Sequence, residues 1–166
     1  YGTVQMNLGN LYLGRVDGER SANLAAAIAS YQSALRVLSR DSQPAEWALA
    51  QMHLGNAYLT HAHDTDRADV QAALTAFQNA LQVFTQETYP FEYRETQVWL
   101  GLAYFGIVAT LAERAGDAAG VRDALAHAHQ AFAAARAAQT ELQWYAVAGY
   151  TNNQGILQWD DLPKLY

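Results

Sequence analysis

Three glycines, Gly9, Gly55 and Gly101, stand 46 residues apart (55 − 9 = 46; 101 − 55 = 46), each inside the same short motif. The motif reads Gln5-Met6-Asn7-Leu8-Gly9-Asn10-Leu11-Tyr12, then Gln51-Met52-His53-Leu54-Gly55-Asn56-Ala57-Tyr58, then Gln97-Val98-Trp99-Leu100-Gly101-Leu102-Ala103-Tyr104. Self-similarity at a fixed period of this size implies a solenoid of stacked units, because no single unit can bury its apolar face alone. The repeat sets the architecture before composition is considered. It also moves the question of function from catalysis to what the stacked surface holds.

Each unit reads as a pair of antiparallel helices. Tyr1, Gln5, Leu8 and Tyr12 fall at i, i+4, i+7 and i+11, one face at a period of 3.6. The same face recurs as Trp47, Gln51, Leu54, Tyr58 and as Tyr93, Gln97, Leu100, Tyr104. The glycine beside each leucine removes a side chain, so a neighbouring helix can approach closely. A second helix is predicted to open at Asn23, a good N-cap, and to run through Ile28, Tyr31, Ala34, Leu35 and Leu38. Repeat two supplies Asp69, Leu74, Phe77, Ala80, Leu81 and Phe84 at the same places. Pro44-Ala45-Glu46-Trp47 and Pro90-Phe91-Glu92-Tyr93 start the next helices, with proline in the first turn and an acid complementing the helix dipole.

One domain over 1–166 is expected, with repeats at about 1–44, 45–90 and 91–138. Repeat three departs from the period after Gly116-Asp117-Ala118-Ala119-Gly120 and resumes around Leu125, Ala128, Ala131 and Phe132. Ala131 reads as the counterpart of Ala80, five residues late (80 + 46 = 126; 131 − 126 = 5). A closing helix and tail are expected over 140–166, opened by the capping box Thr140-Glu141-Leu142-Gln143 and ending extended from Asp160 to Tyr166. Tyr1 occupies the place of Trp47 without the Pro-x-Glu leader, so a fragment of a longer protein is expected.

Composition removes several function classes. A net charge of −6, with ten basic residues scattered along the chain, argues against a nucleic-acid partner. The absence of cysteine excludes disulfides and thiolate metal sites, and fits a cytoplasmic protein. The mostly apolar, uncharged run Val98 to Ala112 is 15 residues. That is short of the roughly 18 to 20 needed to span a bilayer, so no membrane role is expected.

Leu-Gly-x-x-Tyr in the first helix, and Ala-x-x-x-Phe/Tyr-x-x-Ala-Leu in the second, resemble the tetratricopeptide (TPR) repeat. The second pattern stands here as Ala27-Ile28-Ala29-Ser30-Tyr31-Gln32-Ser33-Ala34-Leu35 and Ala73-Leu74-Thr75-Ala76-Phe77-Gln78-Asn79-Ala80-Leu81. The period is 46 rather than about 34. The tryptophan expected four residues before each glycine is Gln5, Gln51 or Gln97, and the aromatic sits one turn earlier at Tyr1, Trp47 and Tyr93. This long-period variant is similar to repeats of bacterial proteins that carry CHAT proteases or signalling NTPases, and more distantly to those of kinesin light chains. The resemblance implies an all-α, right-handed α-solenoid with a C-terminal capping helix and a concave groove lined by the first helices.

A groove stripe at i, i+3, i+7, i+10 reads Thr3, Met6, Asn10, Leu13, then Leu49, Met52, Asn56, Leu59, then Glu95, Val98, Leu102, Phe105. Asparagine can pair with a peptide backbone, and methionine adapts to varied apolar side chains. The residues assigned to peptide binding are Met6, Asn7, Asn10, Leu13, Met52, His53, Asn56, Leu59, Trp99 and Phe105. The plainer alternative is that Met and Leu pack between helices while the asparagines are solvated. A carboxylate clamp of the kind some TPR domains use is not expected, because its positive positions hold Met6, Glu95 and Trp99.

His61-Ala62-His63-Asp64 has metal-ligating residue types, but it aligns with the variable connector at Arg15-Val16-Asp17-Gly18 and reads as a solvated loop. His127 and His129 on one helix point about 200° apart and do not share an ion. No nucleophile stands with a base, and no glycine loop cradles a phosphate. The expectation is a non-enzymatic, cofactor-free scaffold that binds a protein or peptide, as the interaction part of a larger protein. The alternative is an oligomerisation or spacer module that pairs through its terminal helices.

Overall fold

The computed structural model describes residues 1–62, 67–112 and 118–139. Among them are six helices and no strand: α1 (Gly2–Leu13), α2 (Arg20–Leu35), α3 (Pro44–Ala62), α4 (Arg67–Ala80), α5 (Pro90–Ala112) and α6 (Ala118–Gln139). The chain is all-α. Each helix packs against the next in sequence, and α3 also touches α1 and α5.

The glycines explain how closely each pair approaches. A methyl group on Gly9, Gly55 or Gly101 would lie 2.5, 2.6 or 2.6 Å from the ring carbon Cε1 of Tyr31, Phe77 or Phe132. Each ring therefore rests against bare backbone of the partner helix. Tyr31 and Phe77 are fully buried. Burial of a side chain of this size stabilises the fold by about 1.5–3 kcal/mol. Two clusters share the core. One joins α1 and α2 to α3 around Met6, Tyr31 and Leu54, and the other joins α3, α4 and α5 around Met52, Phe77 and Leu100.

The links between pairs repeat in atomic detail. Pro44 and Pro90 each open a helix with Glu46 and Glu92 in the first turn, as the sequence predicts. Before them, Ser39 and Thr85 form matching turns. The amide of Ser42 donates to Ser39 Oγ at 3.2 Å, and that of Thr88 donates to Thr85 Oγ1 at 3.3 Å. In both links a side-chain hydroxyl takes up a backbone donor and shapes the turn ahead of the proline.

Two expectations need correction. The second helices begin at Arg20 and Arg67, ahead of Asn23 and Asp69. Asn23 lies inside its helix and donates back to the carbonyl of Asp17 at 2.9 Å, tying down the connector that Gly18 turns at φ 89°. Asp69 lies 2.6 Å from His61 Nδ1, the ring donating to the carboxylate, and ties the end of α3 to the start of α4. The register of repeat three also differs. Phe132 packs on Gly101 as Phe77 packs on Gly55, an offset of nine beyond the period (132 − 77 = 55; 55 − 46 = 9). The counterpart of Ala80 is therefore Ala135 rather than Ala131 (80 + 55 = 135). Ala128, Phe132 and Ala135 reproduce Ala73, Phe77 and Ala80, and all six are buried. The expected closing helix from Thr140 and the tail from Asp160 lie outside the described residues, as do His63 and Asp64.

Candidate functional site

On α1 the stripe Gly2, Met6 and Gly9 is buried against α2. At 100° per residue, positions 3, 7 and 10 lie on an adjoining face. The equivalents on α3 and α5 follow by adding 46, so Asn7, His53 and Trp99 form one row, and Asn10, Asn56 and Leu102 another. Because α3 touches both α1 and α5, the rows cross three neighbouring helices.

The ten residues assigned to binding divide accordingly. Met6, Met52 and Leu59 are buried members of the core clusters, which corrects their placement in a groove. Their stripe points at the partner helix. Leu13 is half-buried against the first cluster. Asn7 and Asn10 are exposed, while His53, Asn56, Trp99 and Phe105 are half-buried. Phe105 leans on Phe132, with ring centroids 5.9 Å apart.

Tyr31 brings two of these residues together, a role that helix periodicity does not reveal. Its hydroxyl donates to Asn10 Oδ1 at 2.6 Å, and its ring stacks on His53 at 5.8 Å with an interplanar angle of 16°. Burial raises the Tyr31 phenol well above its ordinary range, so it stays a donor. Accepting that bond fixes which end of the Asn10 amide points inward. Its NH₂ group has no partner among the described residues and is an available donor. Burial lowers the His53 pKa below 6.5, which keeps the ring neutral near pH 7. The only sequence hint is a hydroxyl at Tyr31 where Phe77 and Phe132 have none.

Two rows thus change character along the stack. One runs from Asn7 through His53 to Trp99, the other from Asn10 through Asn56 to Leu102, polar at α1 and apolar at α5. The Thr60 hydroxyl donates to the Asn56 backbone carbonyl at 2.8 Å, with Asn56 Oδ1 3.3 Å away. The residues offer amide groups, a neutral imidazole and aromatic surface, without a formal positive charge.

Other chemistry-bearing side chains are engaged elsewhere. Among the described residues, no group of three His, Cys, Asp or Glu could hold a metal ion. His127 donates from Nδ1 to the Asp123 carbonyl at 2.8 Å and stacks on Tyr104 at 5.0 Å. Arg94 is buried at the register of Gly2 and Ala48, 5.0 Å from the Phe91 ring centroid, with Nη1 unpartnered among the described residues. Desolvation lowers its pKa, opposed by the nearby Glu95 charge. No helix among the described residues is long and apolar enough to cross a membrane. No family model matches the chain, and no curated protein or solved structure matches it.

Proposed function

We propose that the chain is a TPR-like α-solenoid that binds an extended segment of another protein along the rows Asn7–His53–Trp99 and Asn10–Asn56–Leu102. The observation that carries this reading is the Asn10–Tyr31–His53 unit, in which a buried tyrosine holds an exposed amide and a half-buried ring in fixed positions. Holding side chains before the ligand arrives reduces the ordering cost of binding. The amides suit a peptide backbone, and Trp99 with Leu102 suits an apolar side chain at the α5 end. The scaffold carries no catalytic step.

Selection from a random peptide display library on the full chain tests the reading. Enriched peptides are expected to carry an aromatic or aliphatic anchor. Their affinity should fall at least about tenfold in Asn56→Ala and in Trp99→Ala, in line with losing one well-placed contact. Failure to enrich any peptide, or binding indifferent to both changes, would sink the proposal.

A further inference from the structure

One apolar surface of this protein has no covering among the described residues. Val4, Leu8 and Leu11 recur at i, i+4 and i+7 on α1 and are 63 %, 36 % and 72 % exposed. Their counterparts on α3 are Ala50, Leu54 and Ala57, and on α5 Thr96, Leu100 and Ala103, every one of them buried. The difference is the neighbour. In α3 the face is covered by α2, and in α5 by α4.

A hydrogen bond marks the same interface. Gln32 of α2 donates to the Tyr58 hydroxyl of α3 at 2.7 Å, and Gln78 of α4 donates to the Tyr104 hydroxyl of α5 at 3.4 Å. Both bonds link residues 26 apart (58 − 32 = 26; 104 − 78 = 26). Tyr12 is the equivalent tyrosine on α1, and its hydroxyl has no donor among the described residues. Around each glutamine, Ile28 with Leu35, or Leu74 with Leu81, packs into the core on the same side.

We propose that the outer face of α1 docks a helix of the α2 and α4 type, carried by another repeat hairpin and bearing an aliphatic-x-x-x-Gln-x-x-Leu stripe. Its aliphatic residues cover Val4, Leu8 and Leu11, and its glutamine donates to Tyr12. The surface continues, one unit further, the interface already made twice inside the molecule. The α6 helix of a second copy does not supply that stripe. At the corresponding positions α6 has His129, Ala133 and Arg136 (74 + 55 = 129; 78 + 55 = 133; 81 + 55 = 136), all exposed. The two helices therefore differ at this register: α6 presents polar and small residues there, whereas α1 presents an open apolar face. Val4 and Leu11 are larger than their interior counterparts, so the docking helix must present small residues. On α2 the small residues turned away from solvent include Ala26, Ala27, Ser30 and Ala34.

An in-frame extension tests this on the whole chain. A second copy of residues 1–46 placed ahead of Tyr1 preserves the period and supplies one α2-type helix. In hydrogen exchange, the amides of the original α1 are expected to gain at least about tenfold protection. Leu11→Glu in the original copy should abolish the gain, and Gln32→Ala in the added copy should reduce it. Because Leu11 is exposed, the Glu variant keeps its fold, checked by circular dichroism. Unchanged α1 exchange in the extended chain would overturn the proposal. So would light scattering that shows the unextended chain as a dimer converted to monomer by Leu11→Glu, since a second copy would then be the occupant.

Discussion

At the scale of single residues, the structure distinguishes glycines that are required from one that is not. Placing a methyl group on Gly55 forces it against the buried ring of Phe77, whereas at Gly14 the nearest atom is the Asn10 carbonyl oxygen at 3.5 Å. Overpacking of this kind costs about 1–3 kcal/mol, and alanine's better helix propensity returns about 1 kcal/mol. Gly55→Ala should thus lower stability in urea by up to about 2 kcal/mol, and Phe77→Leu should recover part of the loss. Gly14→Ala should be neutral or slightly stabilising in the same measurement. His53 makes a second prediction. Its folded pKa lies below 6.5, so the unfolded chain binds the proton more readily. Stability is then complete above about pH 6.5 and declines as pH falls toward the folded-state value. The urea midpoint should drop between about pH 7 and pH 5.5, and His53→Gln should flatten that part of the profile. An unchanged slope in the variant would remove His53 as the cause.

At the scale of helices and connectors, periodicity and proline are strong guides, while side-chain capping is not. Pro44 and Pro90 mark their helix starts because proline suits only the first turn. Asn23 misleads because an asparagine has two uses near a helix start. Here it reaches backward to the connector from inside the first turn instead of capping the helix. The nine-residue slip in repeat three is legible in Ala128, Phe132 and Ala135, but alanines crowd α6 and several alignments look alike by sequence. The same ambiguity affects the candidate face. In α1, apolar residues occupy both the stripe around Met6 and the stripe of Val4, Leu8 and Leu11. Sequence alone does not say which faces a helix and which faces solvent. Asn23 yields a test of the connector. Asn23→Ala leaves the Asp17 carbonyl without its donor and should destabilise the chain by about 1–2 kcal/mol. Hydrogen exchange at residues 18–22 should rise more than in α3, and a uniform change would show that Asn23 acts on the core instead.

At the scale of the whole molecule, helices linked mainly to their neighbours make stability unequal along the chain. The central α3 touches α1, α2, α4 and α5, whereas α1 touches only α2 and α3 among the described helices. The core follows the same division, with Tyr31 serving the first cluster and Phe77 the second. In such a stack, stability approximates a sum of unit and interface contributions, so the end unit can open while the rest stays folded. Phe77→Ala removes a ring shared by α3 and α4 beside α5 and should cost about 3–5 kcal/mol. The loss should be felt in every helix, because the middle pair couples both sides. Tyr31→Ala should cost a similar amount locally, yet release chiefly α1 and α2. Urea unfolding followed by circular dichroism should therefore stay cooperative in Phe77→Ala and become broad or biphasic in Tyr31→Ala. Site-resolved hydrogen exchange separates the two directly: Tyr31→Ala should accelerate α1 and α2 while α5 keeps its protection. Equal acceleration in all helices of that variant would mean that the three pairs unfold as one unit, and the unequal distribution of contacts would not govern their opening.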